Sequence, residues 1–178
     1  MQHQQLDHKE VKQKFSAITD LAAPPMVIIA NNIKDSRNMG ALFRLADAAG
    51  ISHIFTYGFS AHNQDKIRRV ACATQRHVQL QVLKGADELA GLQEQFELIA
   101  LEITSDSIPY TKYQPGKAVA IVIGNEKDGI SAEVLKRVDH SLHIPMYGQG
   151  SSMNVAMATG IAIYGILPNL PDVKLPLV

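Results

Sequence analysis

Three short stretches of this chain place small and polar residues where an apolar run ends. They are NNIKDSRNMGALFRLADAAG (residues 31–50), IVIGNEKDGIS (121–131) and IPMYGQGSSMNVAMATGIAIYGI (144–166). Each reads as a strand that runs into a polar loop and then into a helix. In the third, Ser151, Ser152 and Asn154 stand where the helix begins, at the end whose backbone N–H groups lack intrahelical partners. A loop of this kind can wrap a small polar ligand with backbone donors and acceptors while the helix behind it stays packed. In the second, Glu126 is a candidate to face such a site, with glycines on either side allowing close approach of a ligand. The plainer reading has Gly124 and Gly129 only supplying positive φ in a tight connection. In the first, Asn38 is placed to cap a helix, which alone could explain it. Arg44 interrupts an otherwise apolar segment, so it must reach solvent, a carboxylate such as Asp47 or Glu126, or an anionic ligand. Three such junctions on one short chain point to a single composite site.

Several familiar chemistries are not written here. The second stretch is not a phosphate loop, because Ile130 occupies the position of the required lysine. Gly148-Gln149-Gly150 does not continue into the third glycine of a dinucleotide fingerprint. The histidines form no ligand-spaced pair, and with one cysteine no zinc site is visible, so no metal is expected. No Ser-His-Asp arrangement can be assigned. Lys66, Arg68, Arg69 and Arg76 make the densest basic cluster; a solvated helix face explains it by default, and a phosphate-contacting patch is the alternative.

The elements that must position these loops alternate. Residues 26–30 (MVIIA) and 118–123 (AVAIVI) are continuous apolar runs, as expected of strands buried on both faces. Further strands are predicted at 52–57, 77–83, 96–103 and 140–145. Helices are predicted at 39–49, ending at Gly50 as C-cap, at 86–95, at 131–138 behind a Ser-x-Glu cap, and at 154–167. Residues 105–116 read as a polar loop. Alternation implies a mostly parallel α/β sheet covered by helices on both faces. Ligands of such sheets sit at the carboxyl ends of the strands, where all three loops fall. The domain is expected over residues 23–170, with a polar leader at 1–22 and an extended tail at 171–178.

Composition adds mainly exclusions. Charge is balanced, 17 Lys+Arg against 17 Asp+Glu, so any polyanion must meet a local patch rather than a global field. The single Cys72 leaves no internal disulfide framework and fits a reducing compartment. No apolar run approaches the ~20 residues that cross a bilayer. A cytoplasmic protein without a membrane partner is the expectation.

NMGALFRLADAAG, IVIGNEKDGIS and IPMYGQGSSMNVAMA resemble, in order and spacing, the three signature motifs of the SpoU/TrmH-like branch of the SPOUT RNA methyltransferases. The likeness covers about residues 26–167. KIRRVACATQRHV is similar to the segment between the family's first and second motifs. The resemblance implies a deep trefoil knot near the C-terminus, an obligate homodimer, and S-adenosylmethionine as cofactor. The implied reaction is methyl transfer to a ribose 2′-hydroxyl in tRNA or rRNA, with tRNA slightly favoured. Carried over by motif position, Asn38, Arg44, Glu126, Ser152 and Asn154 form the catalytic set. Leu101, Ile123, Gly124, Ile144, Met146 and Met153 would hold the cofactor. Arg44 and the basic residues Lys66, Arg68, Arg69 and Arg76 would meet the RNA.

Two departures from the family pattern carry weight. Ser152-Met153-Asn154-Val155-Ala156 stands where the family usually has Ser-Leu-Asn-Val-Ser, an apolar swap and one lost hydroxyl. Many relatives also carry an extra RNA-binding domain or terminal extensions. RNA selection would then fall to the dimer surface or to an accessory protein. The rival reading is a non-catalytic RNA-binding module that keeps the fold as a scaffold. A methyltransferase acting on a base or a small molecule is a third.

Overall fold

The structure, a computed structural model, describes residues 5, 7, 9–10, 23–58, 77–171 and 173. The basic cluster Lys66, Arg68, Arg69 and Arg76 lies outside the described residues, as do most of the expected leader and tail.

The two apolar runs become strands at the middle of the sheet. β1 (Met26–Asn31) is buried at every residue, and so is β6 (Val119–Ile123). Their alternation sends Met26, Ile28, Ala30, Val119, Ile121 and Ile123 into one core, and Val27, Ile29, Ala120 and Val122 into the other. Each Val, Ile or Met side chain buried this way contributes about 1.5–3 kcal/mol. A strand with both faces covered therefore reads as an unbroken hydrophobic run.

The remaining strands are β2 (His53–Tyr57), β3 (Gln79–Leu83), β4 (Glu97–Leu101), β5 (Ile108–Pro109) and β7 (His140–His143). They form one sheet in the order β3-β2-β1-β6-β4-β7-β5, and every pairing is parallel. α1 (Ser36–Ala48) and α4 (Val155–Ile166) cover one face through Met39, Leu42, Phe43, Ile163 and Ile166. α2 (Ala86–Gln95) and α3 (Ala132–Leu135) cover the other through Leu89, Leu92 and Val134. The expected α/β sheet with helices on both faces is what the chain forms.

Three local expectations are corrected. α1 begins at Ser36, not at 39, and its N-cap is Asp35, whose carboxylate accepts from Arg37 N–H at 2.8 Å. The apolar periodicity starts only at Met39, which hid the first turn and made Asn38 look like the cap. Arg37 also reaches back to the same carboxylate and holds it below the usual carboxylate range. α3 spans Ala132–Leu135, shorter than predicted, and Ser131 makes no side-chain cap. The polar loop at 105–116 contains β5 and a 3-10 turn, Tyr110–Lys112. Two residues ending in proline carry no strand signal, yet an edge position against β7 tolerates them.

Strand order creates the site. The chain lays β1, β2 and β3 outward in one direction, then crosses to β4 and leaves a gap that β6 fills. β7 likewise enters between β4 and β5. Consecutive strands thus diverge to opposite sides of β6 and β4, and a crevice opens at their carboxyl ends.

Candidate active site

The crevice is a cleft of about 590 Å³. Its walls include Leu101, Ile123, Gly124, Ile144, Met146 and Met153, all six residues carried over as cofactor contacts. Glu126, Ser152 and Asn154 also line it.

The loop after β6 is held in shape by its own backbone. Asn125 and Gly129 exchange hydrogen bonds of 3.0 and 2.9 Å. The Asn125 side chain accepts from Lys127 and Asp128 N–H at 2.9 and 3.1 Å and donates to Asn32 O at 2.9 Å. Only Gly129 uses positive φ, at 68°. Gly124 serves a different need: a Cβ there would run into the backbone of Gly129 and Ile130. The glycines therefore fold the turn tightly enough to bring Glu126 to the cleft.

Asn38 joins Glu126 and Asn154 there, reaching positions 88 and 116 residues away. Asn154 is the N-cap of α4; its Oδ1 accepts from Ala156 and Met157 N–H at 3.0 and 3.3 Å. That cap decides the amide's orientation, because its Nδ2 must then donate. It donates to Asn38 Oδ1 at 3.0 Å, and Asn38 Nδ2 donates to Glu126 Oε1 at 2.5 Å. Asn38 is buried at 9% exposure and both of its amide atoms are satisfied. A buried amide held from both sides is a rigid strut, so the start of α4 sets the direction of the Glu126 carboxylate. Removing Asn38 from the capping position has thus freed it for this contact.

Arg44 stands apart. It is exposed on α1, outside the walls of the cleft, and makes no salt bridge among the described residues. Neither Asp47 nor Glu126 holds it. Its neighbour Leu45 packs over Gly160 of α4.

The cleft also holds residues that the motifs did not name. Glu102 follows β4, and His143 ends β7. Ser107 Oγ donates to Thr104 O at 3.0 Å, so its 3.0 Å bond with His143 Nδ1 has the imidazole as donor. That leaves Nε2 as the acceptor of the neutral ring. The signal for both residues was position, the last residue of a strand or the one just beyond it. The other ionisable cluster lies at the opposite end of the strands. There Glu97 accepts from Tyr113 Oη at 2.7 Å and pairs with His140 at 3.0 Å. Burial, then Glu97, pushes the Tyr113 phenol up. Among the described residues no group of three His, Cys, Asp or Glu could hold a metal, and no helix is long and apolar enough to cross a membrane.

Residues 25–164 match the pattern of the SpoU rRNA methylase family. The chain belongs to that family. Within it, the tRNA (guanosine(18)-2′-O)-methyltransferase of Aquifex aeolicus is 28% identical over 78% of this chain and 67% of its own. The 23S rRNA (guanosine-2′-O-)-methyltransferase RlmB of Salmonella typhi is 34% identical over 79% of this chain and 58% of its own. The chain spans 58–67% of the length of these curated relatives. The fold is shared with the SpoU methyltransferase AviRb from Streptomyces viridochromogenes, solved in complex with AdoMet: TM-score 0.73 at 19% identity, covering 85% of this chain and 63% of that one.

Proposed function

We propose that the protein transfers a methyl group from S-adenosylmethionine to a ribose 2′-hydroxyl of tRNA or rRNA. The observation that carries this reading is the hydrogen-bonded cluster Asn38–Glu126–Asn154 at the wall of the cleft, assembled from all three family motifs. A scaffold that only bound RNA would need no such cluster.

The residues present fit the cofactor. Leu101, Ile123, Ile144 and Met146 offer apolar walls to a flat base, and backbone groups at the strand ends are available for its edge. Carboxylates stand at Glu126 and Glu102 for positive charge and hydroxyls. When bound, the sulfonium supplies an electrophilic methyl, so the protein has chiefly to align the hydroxyl and help its proton leave. Glu126, fixed by the Asn38–Asn154 strut, and Ser152 orient groups at that end. Arg44 holds an RNA phosphate and orients the hydroxyl; a guanidinium, which has five N–H donors and no acceptor, is a poor base. The basic residues Lys66, Arg68, Arg69 and Arg76 are retained as RNA contacts on sequence grounds. tRNA is slightly favoured as substrate, on the similarity of the first motif to that of tRNA-acting relatives.

The assay that tests this combines labelled S-adenosylmethionine with separated tRNA and rRNA lacking the modification, followed by nucleoside mass spectrometry. A 2′-O-methylated nucleoside in one fraction is expected. Cofactor binding without transfer to either RNA would speak for the scaffold or for a required accessory protein, and a methylated base for the third reading.

We also propose the homodimer and the knot. α4 exposes Met157, Ile161 and Tyr164 at helical spacing, an apolar stripe that a second copy can cover. Leu45, next to Arg44 in sequence, packs over Gly160 of the same helix, α4, and in the proposed dimer Arg44 serves the cleft of the second copy. Ile161→Asp is expected to turn a dimer into a monomer in sedimentation and to abolish transfer; a dimeric Ile161→Asp would remove α4 from the interface. For the knot, the supporting features are β7 entering between β4 and β5 and the Tyr110 turn lying against Gly165 of α4. Tracing residues 105–170 in a crystal of the cofactor complex decides it.

A further inference from the structure

Glu102 is a carboxylate in the cleft that none of the steps above uses. It is half-buried and held by backbone donors on both oxygens: Ile103 N–H to Oε1 at 3.0 Å and Ile130 N–H to Oε2 at 3.3 Å. It lies across the loop after β6, so close to Gly129 that a Cβ there would meet Oε2 at 2.7 Å. No cation pairs with it among the described residues. A carboxylate has about four lone-pair directions. The backbone takes one on each oxygen and leaves one on each.

The sheet order says what those two face. Asn38 sits on the helix after β1, Glu126 in the loop after β6, Glu102 at the end of β4, and Ile144 and Met146 after β7. Along the rim these strands follow one another as β1, β6, β4, β7, about 4.8 Å apart. A nucleoside with its base at the β7 wall and its reactive end at Glu126 must lay its sugar over β4. Glu102 is the polar side chain at that place, and it is aimed by the loop that also aims Glu126. We propose that Glu102 binds the ribose of the cofactor, its two remaining lone pairs accepting from the vicinal 2′- and 3′-hydroxyls. Hydroxyl-to-carboxylate bonds of this kind are short and charge-assisted. The assignment rests on the methyltransferase reading and adds to it the residue that distinguishes a ribonucleoside ligand from a deoxy one.

Calorimetric titration of the full chain with S-adenosylhomocysteine and with its 2′-deoxy and 3′-deoxy analogues tests it. This product lacks the sulfonium and so removes any contribution from that charge. The wild type is expected to bind the ribose form about 10- to 100-fold more tightly than either analogue. Glu102→Ala is expected to bind all three with nearly equal, weaker affinity. Glu102→Gln keeps the side-chain volume over Gly129 and is expected to lose most of the preference while its melting stays near wild type. An undiminished preference in either variant, or none in the wild type, overturns the assignment and leaves the cofactor reading standing. Absence of binding to the wild type overturns both.

Discussion

Replacing Arg44 with alanine is expected to lower methyl transfer by about 10²- to 10³-fold, the range for removing one positioned charge from a reacting centre. Cofactor affinity should stay within about threefold, because Arg44 does not line the cleft. Stability should hardly move, since the side chain is exposed and has no salt bridge among the described residues. Few residues offer so clean a separation of rate from binding and folding. Full activity in the variant would remove Arg44 from the mechanism, and lost cofactor binding would place it in the cofactor site instead.

The same residue decides between one chain and two. If Arg44 serves the cleft of the second copy, Arg44→Ala mixed with a variant disabled in the cleft, such as Glu126→Ala, should regain activity. The heterodimer then has one intact cleft facing one intact arginine. With random exchange, half the dimers are mixed and each has one working site, so about a quarter of the wild-type rate returns. If Arg44 serves its own cleft, every site in the mixture lacks something and nothing returns. The measurement is an initial rate after the two proteins have been unfolded and refolded together.

Much of this is legible in the sequence alone, for a physical reason. β1 and β6 are buried on both faces, so their sequences had to be unbroken apolar runs, and the loops that follow them had to fall on the ligand-binding edge. Nothing in periodicity could show that β6 enters between β1 and β4, because pairing order is set by contacts far apart in the chain. β5 escaped because two residues at an edge need no hydrophobic pattern. Asn38 was open to two readings because an asparagine before an apolar period looks like a cap. Only the position of Asp35 shows that the cap lies one turn earlier. Glu102 carried no motif; its meaning comes from where β4 stops and from the backbone donors around it.

Asn154 tests whether the polar cluster acts as a unit. It does two jobs with opposite ends of one amide, capping α4 with Oδ1 and supporting Asn38 with Nδ2. Asn154→Ala removes both, and Asn154→Ser keeps a good cap while losing the amide donor. The caps should separate the two variants in stability, with alanine about 1 kcal/mol below serine in urea unfolding. Both should lie below wild type, because Asn38 Oδ1 loses its donor in a buried position, at a cost of about 1–3 kcal/mol. In rate the two should fall together, by about 10- to 100-fold, since each frees the Asn38 amide to turn and present its oxygen to Glu126. The carboxylate then loses the partner that aims it. A serine variant with wild-type rate would mean that Asn154 only starts a helix and that Asn38 needs no second anchor. Equal rate losses with unequal stabilities would place the reaction's geometry in the strut, and make the start of α4 the part of the fold that aims Glu126.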